Sequence, residues 1–105
     1  LKRSPSALTA ELLKEQGYIV GTVERWLPGA RIRVDLFGFI DQIALKDGET
    51  LAIQATSWTN VSSRVKKIAE CECLDAVRKA NWKILVIGWK HLGGTEYAHK
   101  IVDVS

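Results

Sequence analysis

The alternation of apolar and polar positions divides the chain into seven segments. Ser4-Pro5 has the form of a helix start, because serine caps the first turn and proline is tolerated at the first helical position. Leu8, Leu12 and Leu13 then mark one apolar face, and Gly17 supplies a stop. Tyr18-Ile19-Val20 and Thr22-Val23 are rich in strand formers, which predicts a first strand over 18–26, with Pro28-Gly29 as the turn after it. From Ile32 to Leu45 the chain is almost continuously apolar, which predicts a central strand covered on both faces. Asp47-Gly48 is a strong signal for a two-residue hairpin turn, so Thr50 to Ser57 should return antiparallel. Beyond Trp58, a cap at Thr59 or Asn60 opens a helix whose broad face holds Val61, Val65, Ile68, Ala69, Ala76, Val77 and Ala80, with Asn81 as the stop. Trp82 to Trp89 reads as a strand, Gly93-Gly94 as a turn, and Thr95 to Val104 as an edge strand. The order is α-β-β-β-α-β-β, a mixed sheet flanked by helices in one α/β domain over 1–105.

With 105 residues, 47% of them hydrophobic and 26% charged, the chain is long enough to bury one core. No apolar run approaches the roughly 20 residues of a membrane span, and no basic-then-apolar leader opens the chain, which points to a cytoplasmic protein. Cys71 and Cys73 are too closely spaced for a structural disulfide and too few for a closed zinc site, so they are read as free buried thiols. The net charge of +3 permits an anionic partner without identifying one. Its distribution says more. An acidic island at 35–57, with Asp35, Asp41, Asp47 and Glu49 against the lone Lys46, lies between two basic flanks. Basic flanks attract phosphates while a central carboxylate can hold a divalent cation.

The hairpin turn fixes a register. If Asp47-Gly48 is the two-residue loop, Lys46 faces Glu49, Leu45 faces Thr50 and Asp41 faces Gln54. Opposed residues on antiparallel strands point to one side of the sheet, so Asp41 and Gln54 can grip one ion together. Thr56 shares that side, while Ala55 turns its side chain away and can offer its carbonyl oxygen. An all-oxygen set suits Mg²⁺ or Mn²⁺. Asp41 has a plainer reading, as a hydrogen-bonded strand carboxylate, but a charge inside a covered strand needs compensation. Asp35 has the same parity and is expected to pair with Arg31, Arg33 or another nearby base.

The run Arg33-Val34-Asp35-Leu36-Phe37-Gly38-Phe39-Ile40-Asp41, followed by Ile53-Gln54-Ala55-Thr56-Ser57, resembles the PD-(D/E)xK nuclease superfamily. Within it the chain is most similar to small phage or prophage nuclease-like proteins and, more distantly, to the Holliday junction resolvase and VRR-NUC groups. The resemblance implies a restriction-endonuclease-like α-β-β-β-α-β core and a metal-dependent endonuclease acting on DNA, including structured or branched DNA. It makes Asp41 the metal-binding aspartate and sets Gln54-Ala55-Thr56 where an E-x-K triplet usually stands. Gln54 keeps an oxygen donor but removes a negative charge. Thr56 replaces the lysine that usually orients the attacking water.

A basic residue on the following helix is the expected substitute. Arg64, Lys67 and Arg78 share a stripe with Cys71 and Leu74, with Lys67 the first choice and Lys66 the second; Arg64, Lys66, Lys67 and Arg78 are also the expected contacts to nucleic acid. The same resemblance implies that a glutamate on the first helix, Glu11 ahead of Glu15, completes the Mg²⁺ or Mn²⁺ shell. Trp26, Trp58, Trp82 and Trp89 offer stacking surfaces for bases, against core packing or a dimer interface as the plainer reading. His91 and His99 have no partners at catalytic spacing. Engagement of two strands by so small a chain implies a homodimer. The alternative from a different class, carried by Gln54 and Thr56, is a catalytically degenerate nuclease fold serving as a DNA-binding or assembly module.

Overall fold

A computed structural model describes residues 3–105. Helix α1 (Pro5–Glu15) starts as the sequence directs, with the Ser4 hydroxyl accepting the Ala7 N–H at 3.1 Å and Pro5 in the first turn. Strands β1 (Ile19–Thr22), β2 (Arg25–Leu27), β3 (Ile32–Val34), β4 (Gln42–Lys46) and β5 (Glu49–Ser57) follow. A single 3-10 turn at Trp58–Asn60 leads into helices α2 (Val61–Ala69) and α3 (Leu74–Lys79), and strands β6 (Lys83–Gly93) and β7 (Glu96–Asp103) end the fold. The main sheet is mixed, in the order β1-β4-β5-β6-β7, with β5 and β6 parallel and the other pairs antiparallel. Strands β2 and β3 form a separate two-stranded hairpin.

Helices cover both faces of the sheet. Leu8 and Leu13 of α1 pack with Ala44, Leu51, Ile53, Ile87 and Trp89 on one face. On the other, Val61, Ile68, Leu74 and Val77 pack with Phe39, Ile40, Ala52, Ile84 and Val86. Alternation along β5 feeds both layers, and each fully buried aliphatic side chain stabilises by roughly 1.5–3 kcal/mol. Between β5 and β6 the crossover passes very close to the sheet at Gly88. A Cβ added there would lie 2.2 Å from Val61 Cγ2 and 3.2 Å from the Trp58 Cα. Among the described residues no helix is long and apolar enough to cross a membrane.

Four sequence expectations are corrected. The first strand stops at Thr22 instead of running to 26, and residues 25–34 leave the sheet as the β2–β3 hairpin. The long central strand is broken as well: β3 is exposed, and residues 35–41 fold into turns in which Phe37 and Gly38 take φ of +55° and +87°, incompatible with a continuous strand. The long helix splits at 70–73, where the Cys71 thiol donates to the Phe37 carbonyl at 3.1 Å, tying the break to that irregular turn. Cys71 and Cys73 are free thiols, half-buried rather than buried.

Candidate metal and phosphate site

The β4–β5 hairpin has the expected register. Asp47 and Gly48 take φ of +49° and +80°, as a type I′ turn requires, and the ladder runs from Lys46↔Glu49 to Gln42↔Ile53. Asp41 lies one residue beyond that ladder and is fixed by its backbone. Its N–H donates to the Ile53 carbonyl at 2.9 Å, and its own carbonyl accepts from Val23 at 2.9 Å and Glu24 at 3.3 Å. The side chain of Asp41 is hydrogen-bonded, as its plainer reading has it: Oδ2 accepts from Gln54 Nε2 at 2.9 Å and from the Ala55 N–H at 3.0 Å. Because the N–H and C=O of one strand residue point the same way, the Ala55 carbonyl is directed to this flank also.

Asp41, Gln54 and Thr56 are only 3%, 4% and 4% exposed, so the group sits beneath the surface. Two of its oxygens, Asp41 Oδ1 and Gln54 Oε1, are buried without a hydrogen-bond partner. An orphaned buried acceptor is costly, so each of these oxygens calls for a proton or a cation as a partner. The charge state agrees. Burial pushes the Asp41 carboxyl up to about 7, against the lowering effect of the Ala55 N–H; Asp35 and Glu24 push it further up, and the Gln54 amide draws it down. Both charged groups acting on Asp41 are thus acidic. A cation brought to these oxygens would hold the carboxylate ionised and occupy acceptors that otherwise have no partner. The donors, a carboxylate, an amide oxygen and a peptide carbonyl, are the hard-oxygen set that Mg²⁺ and Mn²⁺ accept. Among the described residues there is no cluster of three or more His, Cys, Asp or Glu side chains arranged to hold a metal ion.

The remaining candidates are placed elsewhere. Glu11 lies on the exposed side of α1, which packs on the opposite face of the sheet from Gln54, and its carboxylate pairs with Arg3 at 2.6 Å. Asp35 stands close enough to raise Asp41, but Arg33 pairs with Glu24 at 3.1 Å instead of with Asp35. On α2, Arg64 is half-buried and Lys66 and Lys67 are exposed; none of the three is among the charged groups acting on Asp41. Arg78 donates from Nη2 and Nε to the Val104 carbonyl, at 2.9 and 3.3 Å, which makes it a tie between α3 and the end of the chain. Trp89 is core, donating to Thr9 at 2.8 Å, and Trp82 is half-buried against Phe37.

Two groupings escaped the sequence reading. The β2–β3 hairpin projects Trp26, 53% exposed, directly opposite Arg33, with Arg25 and Arg31 nearby, and it springs from the residues that bond to the Asp41 carbonyl. Its signal was the Pro28-Gly29 turn set between arginines and strand formers. The second lies where β5 and β6 end: Lys90 Nζ and Lys100 Nζ sit 4.2 and 4.9 Å from the Trp58 ring centroid. No local spacing joins those three residues, so only the fold could reveal them. Comparison of the chain with family models, with curated proteins and with solved structures finds no match.

Proposed function

We propose that this protein is a metal-dependent endonuclease of the PD-(D/E)xK type acting on DNA, with its centre at Asp41 and Gln54. The observation that carries the reading is the pair of unpartnered buried oxygens on two side chains held together by the β4–β5 hairpin. The order of elements supports it: one helix, three antiparallel strands β1, β4 and β5, a helical crossover and a strand parallel to β5 are compatible with a restriction-endonuclease-like core that carries β2–β3 as an insertion. The basic hairpin beside Asp41 supports a polyanionic substrate.

In this reading the Asp41 carboxylate, the Gln54 amide oxygen and the Ala55 carbonyl hold Mg²⁺ or Mn²⁺. Such an ion supplies Lewis-acid polarisation of a phosphate and a bound water of lowered pKa. The chain's own residues set the conditions for it. Burial removes competing water from Asp41, the Ala55 N–H fixes one carboxylate oxygen and leaves the other free, and Thr56 contributes a hydroxyl on the same sheet face as Gln54. Arg25, Arg31 and Arg33 hold the DNA backbone beside the centre, and a second copy of the chain, pairing across the exposed apolar pair of Ile19 on β1 and Leu45 on β4, presents a second centre to the opposite strand.

Incubation of supercoiled and branched DNA with purified protein and Mn²⁺ tests the proposal. Nicking that Asp41→Ala and EDTA both abolish is the expected result, and intact DNA on every substrate contradicts it. A second reading, a DNA-binding module without cleavage, is favoured by one feature: Thr56 stands where the E-x-K lysine is expected, and no basic group acts on Asp41. That reading expects salt-dependent binding, no cleavage, and no specific Mn²⁺ uptake.

A further inference from the structure

The carboxyl ends of the parallel strands β5 and β6 open onto a cavity of about 440 Å³, within the range of small-ligand sites. Ligands of open α/β sheets gather at this end of parallel strands. The lining joins aromatic and basic groups: Trp58 and Tyr97 supply ring surface, Arg3, Lys90 and His91 supply donors, and Ser57 a hydroxyl. No acidic side chain among the described residues lines it. The Arg3 guanidinium is shared with Glu11, and the His91 Nε2–H donates to the Gly94 carbonyl at 2.8 Å, so these two are partly committed.

Lys90 and Lys100 are different. Residues Gly88 and Lys100 are opposed on β6 and β7, so Lys100 points to the same face as Gly88 and Lys90, and both ammonium groups converge on one indole. Neither takes part in an ion pair among the described residues. Two like charges drawn together over one ring, with no carboxylate between them, form a platform short of an anion. The platform starts one residue after β5 ends, four residues beyond Gln54 on the same strand path.

Lys90 lines the cavity, and Lys100 stands outside its lining, against the same Trp58 ring. We propose that this sheet-end cavity binds a nucleotide unit, its base placed against Trp58 and Tyr97 and its phosphate held at the rim by Lys90 and, beside it, Lys100. The inference rests on the nuclease reading only in taking a DNA strand as the natural source of that unit; a free nucleotide carries the same chemistry.

Fluorescence anisotropy with a 5′-labelled oligothymidylate 12-mer, in EDTA so that cleavage plays no part, tests it. Wild type should bind at low salt, and Lys90→Ala combined with Lys100→Ala should weaken binding at least tenfold and reduce the slope of log affinity against log salt by about 1.4, the share of two single-strand phosphate contacts at ~0.7 each. The Lys90→Arg variant should restore most of the affinity lost in Lys90→Ala, and Lys79→Ala, a surface lysine paired with Asp75, should match wild type. Calorimetry with thymidine 5′-monophosphate and with thymidine separates the sources: equal affinity for mononucleotide and oligomer assigns free nucleotide, and far tighter oligomer binding assigns a strand. Absence of oligomer and mononucleotide binding by folded wild type, or unchanged affinity in the folded double variant, overturns the inference. Binding that depends on these lysines in a protein that never nicks DNA would uphold the cavity and refute the nuclease.

Discussion

Asp41 is the buried carboxyl of this fold. Its carboxyl is raised to about 7 by burial foremost, so the native state binds a proton that the unfolded chain, titrating near 4, has released. Stability without metal should therefore fall as pH rises from about 4 to 7 and level off above, by up to about 4 kcal/mol. Asp41→Asn, which removes the charge, should flatten that slope and unfold at a higher temperature than wild type at pH 8. Thermal unfolding at pH 5 and pH 8 in EDTA checks both. A wild-type melting temperature that does not fall between those pH values would contradict the assigned burial. Gly88 makes a second residue-scale claim. A methyl group there meets Val61 Cγ2 at a distance no side chain tolerates and crowds the Trp58 backbone, so Gly88→Ala should destabilise by about 1–3 kcal/mol in chemical denaturation.

At the scale of elements, what the sequence revealed depended on how local the determining interaction was. The β4–β5 register was legible because Asp47-Gly48 dictates a turn and the period of two propagates from it to Asp41 and Gln54. Helix α1 was legible for the same reason, its cap and first proline being adjacent in sequence. The apolar run from Ile32 to Leu45 misled because apolar residues serve a turn packed on a core as readily as a strand. Phe39 and Ile40 are fully buried although they lie in no strand, and Gly38 was the visible warning. The split between α2 and α3 falls where Cys71 contacts Phe37, 34 residues away, a contact that no window of sequence contains. The β2–β3 hairpin bears directly on function. Trp26→Ala there should change stability by less than about 0.5 kcal/mol, since the ring is exposed, yet lower affinity for DNA; titration of labelled duplex checks the latter. Unchanged DNA affinity would remove this arm from the interface.

For the whole molecule, one mixed sheet with helices on both faces brings together groups that the linear order separates. Of the acidic island only Asp41 is buried, Asp47 and Glu49 lying at the far end of the hairpin, while basic groups gather on two distinct surfaces, the β2–β3 hairpin and the lysines over Trp58. Candidates on helix surfaces fared differently, because helical periodicity identifies which residues share a face but not what that face meets. Glu11 therefore ended on the far side of the sheet, and Arg78 became a tie to Val104. What holds the functional account together is that Asp41 and Gln54 share a cation. Soaking crystals in Mn²⁺ and mapping anomalous scattering is the most direct measurement. The account predicts a peak within about 2.5 Å of an Asp41 carboxylate oxygen, next to Gln54 and lost in Asp41→Asn. A well-ordered soaked crystal with no peak at Asp41, or with manganese bound only at surface carboxylates, would contradict it.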